Sequence, residues 1–327
     1  MKGEYSFQVK GKRAKFSFRI RRNITVLKGD SASGKTTLLS MMYEYLRSGR
    51  ESGYSVTTDA QYYVYLRDEP GRDWTDVLYP LEDTIIFIEE NNDFIFGSEF
   101  AEFVKQSGNY FVLVNRAPIK MLPYSIHEIY EIVMEGQHAD MKERWHSFRE
   151  LYSNFPMPEN NRQQIVVTED SNAGFEFFQS VFSNSEVVSA EGNSNIVKTI
   201  EEIGTGDLLA IADGAAFGAM MENCMESLES KRNQRISLWL PESFEYLVLK
   251  SGVVSSKNLE EVLESVPDYL DCREYVSWER FFTDLLEKLT QDTRQHYSKH
   301  HLPELWKLSP DKEKIIKEFP EEIRENI

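Results

Sequence analysis

Only two cysteines occur in 327 residues, Cys224 and Cys272, and no CxxC pair is present. This excludes a disulfide framework and a cysteine-based zinc site, and a reducing cytoplasm is the expected setting. No apolar run approaches the length of a membrane span, so a membrane partner is not expected. The first residues carry charge but no apolar signal-peptide core. Low-complexity tracts are absent. Basic residues are outnumbered, 37 Lys and Arg against 54 Asp and Glu, for a net charge of −17. That balance disfavours indiscriminate binding to nucleic acid. One local exception is the run Lys10, Lys12, Arg13, Lys15, Arg19, Arg21 and Arg22, which reads as the solvated face of a hairpin.

What is present is an ordinary globular composition, 41% hydrophobic and 13% aromatic, long enough for two domains. Tyr5, Phe7 and Val9 alternate, as do Phe16, Phe18 and Ile20, predicting an N-terminal β-hairpin. A short strand at Ile24–Leu27 runs into Gly29, and a helix follows from Ser33 to about Ser48. Strands are predicted at Gln61–Leu66, Thr84–Glu89, Tyr110–Val114 and Ile129–Met134, with a helix over Ser98–Gln106. The continuously apolar runs suit strands buried on both faces of a mostly parallel sheet.

Pro156, Pro158, Asn160 and Asn161 mark a linker. Beyond it, four strands alternate with four helices. The pairs are Ile165–Thr168 with Asn172–Phe182, Glu186–Ser189 with Asn195–Ile203, Leu208–Ala212 with Ala216–Leu228, and Ile236–Leu240 with Ser243–Leu249. Helices are expected from Leu259 onward, where Trp278, Phe281, Phe282, Leu285, Leu286 and Leu289 share one face. The expected organisation is α/β throughout: a first domain over 1–155, a second compact α/β domain over 163–250, and a helical extension over 251–327.

The segment Gly29-Asp30-Ser31-Ala32-Ser33-Gly34-Lys35-Thr36-Thr37 fits GxxxxGK[ST] between a strand and a helix. Gly29 and Gly34 let the backbone turn without a Cβ in the way. Successive backbone N–H groups and a helix N-terminus face an anion. Lys35 would neutralise β- and γ-phosphates, Thr36 would give a hydroxyl to Mg²⁺, and Thr37 would bond a phosphate. The segment resembles the phosphate-binding loop of P-loop NTPases. The apolar strand Ile85–Ile88 ending in Glu89-Glu90 resembles that family's Walker B motif, with Glu89 where Asp is usual. The resemblance implies Glu89 near Mg²⁺, Asp93 being an alternative, and Glu90 as the base that polarises water. It also implies a γ-phosphate-sensing role for Asn115 at the tip of the neighbouring strand, with Arg116 beside it. An LSGGQ-like signature and a guanine-reading NKxD motif are both lacking. ATP is therefore the expected nucleotide, and a second copy or a protein partner the expected means of completing the site.

In the second domain acids follow successive strands: Glu169 and Asp170, then Asp213, then Glu242 and Glu245. Acids that end parallel strands on one sheet edge can converge on a divalent metal for phosphodiester chemistry. With Gly192-Asn193-Ser194-Asn195 and Leu240-Pro241-Glu242-Ser243-Phe244-Glu245, this region is similar to the Toprim domain of OLD-like ATPase-nucleases (overcoming lysogenisation defect). The resemblance covers about residues 163–250. It implies Glu169 as a catalytic metal ligand and Asp213 as the first acid of a DxD motif, with either Glu242 or Glu245 as the later acid. The chain departs from the family where Asp170 follows Glu169 and where Ala215 replaces the second Asp. The implied function is an ATPase that controls a Toprim-like domain acting on or binding DNA or RNA, in phage defence or a mobile element. A non-cleaving regulatory or assembly module is the alternative.

Overall fold

The computed structural model describes residues 1–29, 34–66, 73–135, 144–157, 164–204, 206–230 and 235–327. Asp30, Ser31, Ala32 and Ser33 of the glycine-bounded loop lie outside them. The architecture is mixed α/β, with a large, mostly parallel sheet, a second parallel sheet and C-terminal helices. The chain divides into two compact units, Met1–Ser153 with Ser265–Ser277, and Asn154–Glu264 with Trp278–Ile327. Among the described residues no helix is long and apolar enough to cross a membrane.

The first unit holds strands β1 (Tyr5–Lys10), β2 (Ala14–Ile20), β3 (Ile24–Lys28), β4 (Ser55–Thr57), β5 (Gln61–Tyr65), β6 (Thr84–Ile88), β7 (Tyr110–Val114), β8 (Ile129–Glu135) and β9 (Arg144–Glu150). They form one sheet in the order β4-β1-β2-β9-β8-β3-β7-β6-β5. β1 and β2 make the expected antiparallel hairpin, with Phe7 opposite Phe18. Their alternating burial follows the period-2 pattern, because only one face is covered. β3, β6 and β7 are buried at every position, as strands covered on both faces must be. These three are parallel, and β7 lies between β3 and β6. Helix α1 (Lys35–Ser48) follows β3 and buries Leu38, Leu39, Met41 and Met42. Helices α2 (Trp74–Leu78) and α3 (Ser98–Gln106) flank β6 in sequence.

Two local expectations change. Arg21 and Arg22 of the basic run are not a solvated face. Arg21 Nε donates to Glu128 at 2.9 Å, Arg22 lies 3.4 Å from the same carboxylate, and Glu128 is fully buried. A buried carboxylate needs such partners, so Arg22 lies in the core and half-buried Arg21 covers the same carboxylate from its edge. β9, sequence RWHSFRE, carries too few apolar residues to stand out as a strand. It forms because antiparallel pairing with β8 and parallel pairing with β2 give it both ladders. The segment 265–277 adds to this unit through Gly3 N–H to Pro267 O at 2.6 Å and Asn23 Nδ2 to Val276 O at 2.7 Å.

In the second unit, β10 (Gln164–Thr168), β11 (Glu186–Ser189), β12 (Asp207–Ile211) and β13 (Ile236–Trp239) form an all-parallel sheet ordered β11-β10-β12-β13. The crossovers carry α4 (Ala173–Val181), α5 (Ile196–Ile203) and α6 (Met221–Ser230), and α7 (Phe244–Lys250) follows β13. Ser243 caps α7, its hydroxyl accepting from Tyr246 N–H. The helix expected from Ala216 starts only at Met221. Residues 214–220 turn instead, with Ala216 N–H bonding Asp213 O and Met220 N–H bonding Phe217 O. Gly214 and Gly218 weaken helix there. The C-terminal helices are α8 (Leu259–Glu264), α9 (Val266–Tyr269), α10 (Trp278–Thr290), α11 (Asp311–Ile316) and α12 (Glu321–Arg324). α9 lies in the segment grouped with the first unit. α10 buries Trp278, Phe281, Phe282 and Leu286 on the expected apolar stripe.

Candidate functional site

β3 delivers the chain to Gly29 at the C-terminal end of a central parallel strand, where ligands bind in open α/β sheets. Gly29 has φ 118° and Gly34 φ 97°, conformations that L side chains rarely adopt. A Cβ on Gly34 would lie 3.5 Å from the Phe16 ring and 3.8 Å from Ile132, which is ordinary contact. Backbone conformation rather than space therefore demands glycine. Gly34 then caps α1, with Leu38 N–H closing on its carbonyl at 2.8 Å. Lys35, the first helical residue, is 6% exposed, and its ammonium reaches back to donate to Gly29 O. Thr36 and Thr37 stand exposed in the first turn. One lysine thus spans both glycine ends of the loop.

The neighbouring strands end on the same edge. Asn115, just past β7, donates its N–H to Leu27 O of β3 at 3.2 Å, so it sits beside the strand that feeds the loop. It is buried, and its Nδ2 donates to Ala117 O at 2.9 Å. Glu89 and Glu90 follow β6 and are half-buried. Asn91 with φ 73° turns the chain, and Asn92 Nδ2 bonds Glu89 O at 2.7 Å. Arg116 Nε lies 2.8 Å from Glu90 Oε1. The sequence named both residues but not this pairing, since they are 26 positions apart on strands whose adjacency only the sheet reveals.

In the second unit, Glu169 and Asp213 follow the adjacent strands β10 and β12. Glu169 Oε2 accepts from Asp213 N–H at 2.8 Å, and Asp213 Oδ1 accepts from Phe244 N–H at 3.2 Å. Asp170 Oδ1 accepts from Phe175 N–H at 2.9 Å, and the absence of a Cβ on Gly174 gives this carboxylate its room. Buried Glu245 accepts from Tyr297 O–H at 2.7 Å. Glu169, Asp170, Asp213 and Glu245 line one cavity of about 40 Å³, together with Lys299. That volume has room for a few water molecules. Lys299 Nζ donates to Glu279 Oε1 at 2.7 Å.

Burial pushes the Glu169 carboxyl up to about 8, with Glu279 and Asp170 adding to the rise and the Asp213 N–H and Lys299 opposing it. Asp213 is raised well above its ordinary value, first by burial and then by Glu169. Asp170 and Glu245 are raised by burial as well. Lys299 is raised in turn, because Glu279, Glu245 and Asp213 outweigh its desolvation. Ala215, two positions after Asp213, is 2% exposed and pairs its N–H with Glu242 O at 3.1 Å.

Lys299, Tyr297 and Glu279 went unnoticed in the sequence. They lie more than a hundred residues beyond Glu169 with no motif around them. His300 and His301 are exposed, and His300 Nδ1 lies 3.0 Å from Asn172 Oδ1. Among the described residues no group of three or more His, Cys, Asp or Glu side chains could hold a metal ion. No protein-family model matches the chain, and no curated protein matches it.

Proposed function

We propose that the protein binds ATP with Mg²⁺ at the Gly29–Thr37 loop and hydrolyses it, and that this cycle controls a Toprim-like second unit that contacts nucleic acid. The observation that carries the reading is the pair of left-handed glycines with Lys35 reaching from the helix start back to Gly29 O, at the C-terminal end of a buried parallel strand. Such a frame aims backbone N–H groups, a helix N-terminus and an ammonium at an anion. The donors at this edge suit Mg²⁺ that shares its shell with phosphates and water: the Thr36 hydroxyl and the Glu89 carboxylate are hard oxygen ligands. Bound Mg²⁺ would neutralise phosphate charge as the terminal phosphoryl group leaves.

The chain's own residues do the rest. Lys35 holds the β- and γ-phosphates. Glu90 orients the attacking water, which requires it to share or leave Arg116. Asn115 stands between β3 and β6, where it can report the terminal phosphate to the sheet. ATP is preferred over GTP because no guanine-reading motif is present. A second copy or a protein partner would complete the site.

A second reading keeps the ATP cycle and makes the second unit a non-cleaving regulatory or assembly module. Buried Ala215 favours it, since the position offers no ligand oxygen from a side chain. A role in phage defence or a mobile element is analogy with OLD-like proteins.

The test is ATP turnover by the full chain with Mg²⁺, beside Lys35→Ala and with plasmid and single-stranded nucleic acid added. Turnover in the wild type and a loss of about a hundredfold in Lys35→Ala are expected. Absence of both nucleotide binding and turnover in the wild type would overturn the reading. Metal-dependent cleavage of nucleic acid would select the first version, and turnover without cleavage the second.

A further inference from the structure

A Toprim-like second unit implies a divalent metal at Glu169 and Asp213, yet the residues there do not fit one. Each of the four cavity carboxylates has one of its two oxygens held by a donor of the same unit, Asp213 N–H, Phe244 N–H, Phe175 N–H and Tyr297 O–H, and the ammonium of Lys299 on the same cavity wall repels a divalent cation. Ala215 adds no side-chain oxygen, and the described residues hold no metal-binding group of three. A cluster of buried acids still needs positive charge or protons. Lys299 lies half-buried on the cavity wall, and its segment is fixed from both sides. Its N–H donates to Glu287 Oε1 at 3.2 Å, its carbonyl accepts from Ala173 N–H at 3.2 Å, and its ammonium donates to Glu279. The bridge between Ser298 and His301 closes the turn that presents it.

We propose that Lys299 is the resident cation of this centre, taking the electrostatic place of a divalent metal, so that the second unit carries out no metal-dependent phosphodiester cleavage. This rests on the Toprim-like reading of the second unit and is independent of the ATP reading. The ammonium is compact and tethered, so it offsets part of the acids' charge without presenting the open coordination position that metal-assisted hydrolysis requires. A tethered lysine also keeps one positive charge at the centre whatever the metal supply.

The experiment titrates the nucleotide-free full chain with Mn²⁺ by electron paramagnetic resonance, comparing wild type with Asp213→Asn, and melts Lys299 variants in parallel. Equal Mn²⁺ binding by wild type and Asp213→Asn is expected. Lys299→Met should lower the melting temperature by about 5 °C. Lys299→Met with Asp213→Asn should recover at least half of that loss, because one acid fewer needs a cation. A tight Mn²⁺ present in wild type and absent in Asp213→Asn overturns the proposal, as does plasmid cleavage that Asp213→Asn abolishes. Lys299→Met melting like wild type, or a double variant less stable than Lys299→Met alone, overturns it too. If Lys299→Met does not fold, the Mn²⁺ comparison decides alone. A failure of ATP binding would leave every one of these outcomes intact.

Discussion

At the C-terminal edge of the first sheet the chain leaves β3 through Gly29 and enters α1 through Gly34, both left-handed, with Lys35 bridging them. At the same edge of the second sheet it leaves β10 and β12 through Glu169 and Asp213, whose carboxylates accept N–H donors of their own unit. Both edges are topologically placed for a ligand. The first sets two left-handed glycines and a lysine at a helix start, the frame proposed above for an anion. The second fills its space with acids, internal donors and Lys299. Topology supplies the position, and the side chains decide whether the position awaits a partner or supplies its own.

The comparison breaks most sharply at Glu90. Glu90→Gln keeps the shape and removes the base, so turnover should fall at least about a hundredfold while ATP binding persists. Unchanged turnover in a steady-state assay would remove Glu90 from the chemistry. Gly34→Val comes next. A β-branched residue forced to φ 97° should cost about 1–2 kcal/mol in stability. Nucleotide affinity should drop about tenfold with it, read by calorimetric titration beside a thermal melt.

At the second edge the expected effect depends on pH. Burial lets Glu169 keep its proton in the folded protein to about pH 8, while the unfolded chain releases it near the ordinary 4.5. The folded state then binds more protons over that window, so stability falls as pH rises from about 4.5 to about 8 and levels above. Asp170, Asp213, Glu279 and Lys299 act on the same carboxyl and shape the curve. Glu169→Gln should flatten this fall and melt a few degrees above wild type at pH 8. A variant whose melting profile tracks wild type across the window would contradict the burial argument. The smallest effect belongs to His300→Ala and His301→Ala, exposed beside the second site, which should stay within about 0.5 kcal/mol in chemical denaturation.

Much of this was legible in the residues. The buried runs Thr84–Ile88 and Tyr110–Val114, and β10, β12 and β13 of the second sheet, announced themselves by their largely apolar runs, while the edge strand β11, with Glu186 and Ser189 at its ends, was legible only from its place in the strand–helix alternation. The glycine spacing announced the turn at Gly29. Long-range polar pairings did not show. Glu128 lies about a hundred residues from Arg21 and Arg22, and Glu90 reaches Arg116 only because β6 and β7 are neighbours. Lys299 meets the acids through a C-terminal turn with no periodicity of its own. Charge pairing across such separations leaves no local signature, whereas burial and backbone conformation do.

The account turns on the first edge accepting a nucleoside triphosphate. Isothermal titration of ATP into the full chain, with and without Mg²⁺ and beside Lys35→Ala, tests it most directly. Saturable binding by wild type, strengthened by Mg²⁺ and weakened at least about tenfold in Lys35→Ala, is the predicted result. Binding of equal strength in wild type and Lys35→Ala, or none in either, would contradict it.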